Sequence, residues 1–171
     1  MVDDAGSGSD GPVSKTVMTA MREGSAIGIL YSATVARILG ISPGDLECLD
    51  FVATHQPVTA GALAGTTGLT TGAITGVVDR LEKAGLVRRV RPDSDRRKVL
   101  ISTTEEFFSR VVPLFEPMQR HQAAAVEAAS EGDLAAVAAF MDRSLEAARD
   151  ALAELAANHS MAVPAPEAGP R

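Results

Sequence analysis

The chain has 171 residues, 46% of them hydrophobic, which is enough for one domain with a real core. One cysteine excludes an internal disulfide framework, and 4% aromatic content with no Trp points to a core of Ala, Leu, Val and Met, common in helical proteins. A net charge of −6 argues by itself against a nucleic-acid binder, yet the charge is unevenly spread. Residues 79–98 carry eight of the 16 basic residues against four acidic ones, a net +4 that leaves −4 before and −6 after. A basic stripe on an acidic body is the electrostatic footprint of a DNA reader, and a solvated charge run is the bland alternative.

Residues 1–12, rich in Gly, Ser and Asp, read as a disordered tail. A helix follows over 13–39, with Val17, Met18, Met21, Ile27, Leu30, Tyr31 and Ile38 as apolar members and a bend expected at Gly24 and Gly28. Ser42, Pro43 and Asp45 form a helix start with a capping-box pattern. That helix runs to about residue 54, burying Leu46, Leu49 and Val52, and His55, Gln56 and Pro57 close it. Residues 59–66 read as a short helix capped by Thr59, whose hydroxyl and amides are also a phosphate candidate. A turn at Thr67 and Gly68 leads into a second helix over 69–85, with Thr70 as cap and Gly85 in the left-handed terminal position.

In that second helix Ile74, Val77, Val78 and Leu81 recur at helical spacing and face inward. The outer face is small or polar: Thr71, Gly72, Thr75, Gly76, Asp79 and Arg80. Two exposed helical glycines cost about 1 kcal/mol each relative to Ala, so either they permit close approach to another backbone or they carry no role. Ala64, Gly68, Ile74 and Val77 fall where a helix-turn-helix needs a small crossing residue, a glycine turn and branched apolar residues. The β-prone runs 86–90 and 98–102, joined by a Pro/Asp/Ser turn over 91–97, make a hairpin with a basic tip. A helix-turn-helix followed at once by a basic hairpin is a winged helix-turn-helix.

The run Val77-Val-Asp-Arg-Leu-Glu-Lys-Ala-Gly-Leu-Val-Arg88, followed by Asp95-Arg-Arg97 and Val99-Leu-Ile101, resembles the MarR family of bacterial transcriptional regulators. The close resemblance covers roughly residues 42–103. It implies an obligate homodimer that binds double-stranded DNA at a pseudo-palindromic operator, as a repressor released by a small aromatic or lipophilic effector or by oxidation. It further implies that Arg97 reaches the minor groove, oriented by acids among which Asp79 is a candidate, and that Arg96 and Lys98 sit on flanking phosphates. A structural ion pair within the hairpin is the alternative for Asp95 and Asp79.

Residues 103–106 hold another capping pattern, opening a helix to about residue 129 in which Pro113 or Pro117 forces a kink or break. Ser130 and Asp133 start the last helix, which runs to about residue 157. There Leu134, Ala138, Met141, Leu145, Ala148, Leu152 and Leu155 alternate in steps of four and three, a seam suited to a dimer or to packing on the same chain. Residues 158–171 read as a second disordered tail.

The fold expected is therefore mainly α with a two- or three-stranded β wing. Residues 13–41 and 104–157 form dimerisation helices around a winged module at 42–103. The DNA-binding candidates are Thr59, Thr70, Thr71, Thr75, Gly76, Arg80, Lys83, Arg91, Asp95, Arg96, Arg97 and Lys98. Thr71 and Thr75 either hydrogen-bond bases or touch a thymine methyl, while Arg80 and Lys83 face phosphates. No basic residue lies between Thr70 and Asp79, so specificity leans on groove shape and the wing. Effector candidates are Met18, Met21, Tyr31, Phe51 and His55.

Cys48 lies beside Glu47 and Asp50, which raise rather than lower a thiol pKa, so a packed cysteine is favoured over a redox sensor. No metal set, cofactor motif or nucleophile–base arrangement stands out, which argues against an enzyme. The start lacks a secretory signal and no apolar run spans a bilayer, so a cytoplasmic location without membrane contact is expected. Two other readings stay open: redox regulation through Cys48, and a winged protein-interaction module that does not bind DNA.

Overall fold

A computed structural model describes residues 11–92, 95 and 98–159. Among them, helices α1 (Pro12–Leu39), α2 (Pro43–His55), α3 (Ala60–Thr67) and α4 (Thr71–Lys83) precede the hairpin, with β1 (Val58–Thr59) between α2 and α3. Strands β2 (Val87–Val90) and β3 (Leu100–Thr103) follow, then α5 (Glu105–Arg110), α6 (Val112–Glu127) and α7 (Glu131–Asn158). The chain divides into two compact units, residues 1–46 and 47–171.

In the first unit α1 is one continuous helix, so the bend expected at Gly24 and Gly28 does not break it. Glycine weakens a helix without removing a backbone donor, and continuity survives. Val35, Ala36 and Leu39 are buried, whereas Met18, Ile27, Ile29, Leu30 and Ile38 are exposed. The amide of Ser42 donates to Asp45 Oδ2 at 3.4 Å and the amide of Asp45 to Ser42 Oγ at 3.1 Å, the reciprocal capping box read from the sequence.

The second unit holds the winged module. Its core is built from Leu49, Val52, Leu63, Ile74, Val78, Leu81, Leu86, Val87 and Ile101, all at most 2% exposed. Fully burying each such side chain contributes roughly 1.5–3 kcal/mol, which dwarfs any single surface contact. The sheet has three strands in the order β1-β3-β2, all antiparallel, with Val58 opposite Ile101 and Arg89 also opposite Ile101 on the other side. The third strand is thus supplied by the two residues just before α3, too short a stretch to announce itself by periodicity. Gln56 ties that corner down: its side-chain oxygen accepts from both the amide and the hydroxyl of Thr103, each at 2.8 Å.

Downstream, the expected proline break falls at Val111, between α5 and α6. Pro113 has no amide to continue the α5 ladder, while Pro117 is accommodated inside α6. Ser130 caps α7, its hydroxyl oxygen accepting from the Asp133 amide at 3.2 Å. Along α7 the seam residues Met141, Leu145, Leu152 and Leu155 are exposed in the single chain, so they do not pack on their own unit. No single helix among the described residues is long and apolar enough to cross a membrane.

Candidate nucleic-acid interface

Helix α4 is fixed at both ends by its own sequence. The Thr70 hydroxyl accepts from the Ala73 amide at 3.3 Å, satisfying one donor of the first turn. At the other end Gly85 has φ +77°, a left-handed conformation that non-glycine residues rarely adopt. The Gly85 amide donates to the Glu82 carbonyl at 2.9 Å and the Leu86 amide to the Leu81 carbonyl at 3.0 Å, which together close the helix and turn the chain into β2. Leu81 and Leu86 are both fully buried, so the apolar contact typical of this ending accompanies it. The left-handed Gly68, φ +69°, makes the equivalent turn between α3 and α4.

Beyond its C-terminus, α4 is sewn to the segment after the wing. Thr104 Oγ1 donates to the Gly85 carbonyl at 2.6 Å and accepts from the Phe107 amide at 3.2 Å, so one hydroxyl both caps α5 and anchors it. Arg110 adds a bond to the Ala84 carbonyl at 3.2 Å.

The inner stripe of α4, Ile74, Val77, Val78 and Leu81, is buried, and this orients the rest outward. Thr71, Gly72, Ala73, Thr75, Asp79, Arg80 and Lys83 are exposed and Gly76 is half-buried. A methyl added at Gly76 would stand 3.5 Å from Arg80 Nη1, so the Arg80 guanidinium lies back along the helix beside Gly76. The Thr75 hydroxyl donates to the Thr71 carbonyl at 3.0 Å. Thr59 serves as the α3 cap, accepting from the Ala62 amide at 3.1 Å.

The wing is joined to α4 through Arg89, a basic residue for which the sequence alone suggests no role. Its Nη2 donates to Asp79 Oδ1 at 2.6 Å, its Nη1 donates to Glu82 Oε2, and its amide donates to Glu82 Oε1 at 3.2 Å. The guanidinium is held above its usual pKa, first by the hydrogen bond to Asp79; burial opposes the rise and Glu82 reinforces it. Asp79 thus bonds Arg89, while Arg97, for which the resemblance implied Asp79 as a candidate partner, lies outside the described residues. Ten residues of sequence separate Asp79 from Arg89, and only the return of β2 alongside α4 brings them together.

Arg91 and Lys98 are exposed at the two stems of the hairpin and Asp95 is half-buried. Lys98 Nζ lies 3.9 Å from Asp95 Oδ2, an exposed pairing of small value that leaves the cation accessible. Arg96 and Arg97 fall outside the described residues.

The effector candidates are split between the two units. Met18, Met21 and Tyr31 lie on α1, with Met18 61% exposed and Tyr31 half-buried. Phe51 and His55 come together one turn apart on α2, rings stacked with centroids 4.3 Å apart and planes 20° from parallel. They line a surface hollow of about 500 Å³ with Glu47, Asp50, Thr54, Thr66 and Thr67. Cys48, on the same helix, is 1% exposed. Among the described residues no group of three or more His, Cys, Asp or Glu could hold a metal ion.

Comparison with known proteins places this geometry. The model of the MarR family matches residues 41–99, which contain α2, the helix-turn-helix and the wing. The chain is 32% identical over 141 residues to the HTH-type transcriptional regulator YcgE of Bacillus subtilis (strain 168), covering 82% of this chain and 92% of that protein. The crystal structure of RV1404 from Mycobacterium tuberculosis superposes with a TM-score of 0.61 at 25% identity, over 82% of this chain and 97% of that one. FabT from Streptococcus pneumoniae, solved in complex with DNA, shares the fold with a TM-score of 0.62 at 18% identity, over 80% and 96% of the two chains. With a family match across the winged module and a relative above 30% identity along most of its length, the chain belongs to the MarR family of transcriptional regulators, and it is no enzyme.

Proposed function

We propose that the protein acts as a homodimer that binds a pseudo-palindromic duplex DNA operator, represses transcription there, and is released by a small aromatic or lipophilic effector. The observation that carries the DNA-binding part is a set of exposed cations on α4 and the hairpin that follows it. The outward face of α4 leads through Arg80 and Lys83 to Arg88, Arg91 and Lys98, all exposed, in a chain that is otherwise acidic. Arg89 is set apart from these cations. With Asp79 and Glu82 it forms a group carrying one net negative charge, so its part is to hold α4 against β2. Phosphate affinity then comes from the five exposed cations together with Arg96 and Arg97, the basic residues that the sequence sets in the same hairpin. The DNA complex of the structurally similar FabT supports this reading.

Support for the dimer comes from apolar faces that the single chain leaves uncovered. Met141, Leu145, Leu152 and Leu155 on α7 are exposed, and so are Met18, Ile27, Ile29, Leu30 and Ile38 on α1. The α7 residues recur at seam spacing on one stripe of the helix, and an uncovered apolar face of this kind marks an interaction surface. Two recognition helices on one face of duplex DNA need a spacing of about one turn, roughly 34 Å, which a dimer supplies and a ligand can alter. For the effector, the Phe51–His55 stack offers an aromatic plate beside an open hollow. The burial of Cys48 favours ligand release over thiol oxidation, since a cysteine packed in the core is inert.

The test is binding to duplexes recovered by in vitro selection from a randomised library. Affinity falling steeply with salt supports the reading, and Lys98→Ala should reduce the slope of log affinity against log salt by about one unit. A protein that retains no duplex at low salt would be an interaction module using the winged fold alone.

A further inference from the structure

The first two turns of α4 present very little to a groove. Gly72 has open space where a side chain would begin, and Gly76 likewise bears none. Three residues after the first glycine and directly before the second stands Thr75, exposed. Threonine carries a hydroxyl and a methyl on the same carbon, and either group could meet a base edge. Here the hydroxyl is directed inward: it donates to the Thr71 carbonyl one turn back, at 3.0 Å. A threonine bonded in this way keeps its oxygen against the helix backbone and turns its methyl away from it. The neighbouring Thr70 hydroxyl is also occupied at the backbone, accepting from the Ala73 amide at 3.3 Å.

Thr75 therefore offers a methyl flanked by two residues without side chains. In the major groove the C5 methyl of thymine is the one apolar group on a base edge, and a threonine methyl is a suitable partner for it. Gly72, with open space where its side chain would begin, lies one turn before Thr75 and leaves room beside it for such a group, while the Arg80 guanidinium lies on the other side, beside Gly76. We infer that Thr75 is a specificity-determining residue that selects thymine at one fixed position of each operator half-site, through methyl–methyl contact and not through its hydroxyl. This rests on the DNA-binding reading above and names the chemistry by which the recognition helix reads sequence despite having no cation in its first two turns.

The test uses the full chain and a duplex recovered by in vitro selection, remade with deoxyuridine replacing one thymine at a time in each half-site. Deoxyuridine keeps every hydrogen-bonding group and loses only the methyl. At one thymine per half-site the replacement should weaken wild-type binding about fourfold, the size expected for one methyl-sized group leaving an apolar contact. Thr75→Val, which keeps the methyl and loses the hydroxyl, should retain both the affinity and the deoxyuridine effect. Thr75→Ser, which keeps the hydroxyl and loses the methyl, should bind the thymine duplex about as weakly as wild type binds the deoxyuridine one, and should no longer distinguish them. Binding to unselected duplex at low salt, equal in all three proteins, shows that the variants are folded. The inference is overturned if no deoxyuridine position matters, or if Thr75→Ser behaves as wild type while Thr75→Val loses affinity. Absence of any duplex binding by the wild type overturns the DNA-binding reading and this inference together, whereas specific binding indifferent to thymine methyls overturns this inference alone.

Discussion

Single residues at this interface are placed for what they lack as much as for what they carry. Gly72 lies in a regular helix with open space around the missing side chain, so nothing in the fold requires glycine there. Replacing it with Ala should stabilise the protein by roughly 0.5–1 kcal/mol, the usual difference between the two residues inside a helix. The same change should lower operator affinity, because a methyl is added on the surface proposed to approach the bases. Thermal unfolding and anisotropy titration on one sample check both halves; a stabilised variant with unchanged affinity would mean that the glycine has no role. Gly85 is the opposite case. Its φ of +77° demands glycine, so Gly85→Ala should destabilise the module by about 1 kcal/mol or more, seen as a lowered denaturation midpoint.

At the scale of elements, the question is what keeps the recognition helix and the wing at a fixed angle. Links beyond the shared core include the Arg89 group between β2 and α4, and Thr104 and Arg110 between the end of α4 and α5. The Arg89 pairs are largely exposed, and pairs of that kind contribute about 0–1 kcal/mol each. Arg89→Gln should therefore cost little stability, while operator binding falls about tenfold because the wing and helix no longer meet the DNA as a rigid pair. Equilibrium unfolding and operator titration separate the two effects. If binding survives intact, the group is merely a surface ion pair. For the hairpin, the family resemblance implies a minor-groove role for Arg97, so Arg97→Ala should weaken operator binding strongly and leave the unfolding midpoint unchanged, as operator titration and equilibrium unfolding check.

For the whole molecule, the exposed seam of α7 is where the proposed assembly is tested. Leu145 and Leu152 are 48% and 44% exposed in the single chain, and substitution of either by Asp would be mild in a monomer. In the dimer proposed here it places a charge in an apolar interface, so sedimentation should show dissociation, with loss of the folded state at micromolar concentration. A wild-type chain sedimenting at single-chain mass would remove the basis for this. The proposed effector belongs to the same scale, since the release proposed for it acts through the spacing of the dimer's two recognition helices. Phe51→Ala should reduce the thermal shift produced by planar aromatic compounds and leave operator affinity without ligand unchanged.

Local rules within the chain were enough for much of this. The caps at Ser42, Thr59, Thr70 and Ser130, the left-handed ends at Gly68 and Gly85, and the inward stripe of α4 depend on residues at most a few positions apart. Backbone propensity, short-range hydrogen bonding and helical periodicity therefore fix them wherever the chain goes. So too the break at Pro113, where a missing donor cannot be supplied by context. Tertiary structure decided what depends on return of the chain. It made Val58 and Thr59 a third strand, gave the Gln56 oxygen to Thr103, and brought Arg89 to Asp79. It also left the α7 seam uncovered, where the spacing alone allowed packing within the chain. A seam spacing says that a face is apolar, and an acid says that a cation will be near. Which face covers it, and which cation arrives, follows only from where strands and helices distant in sequence come to rest.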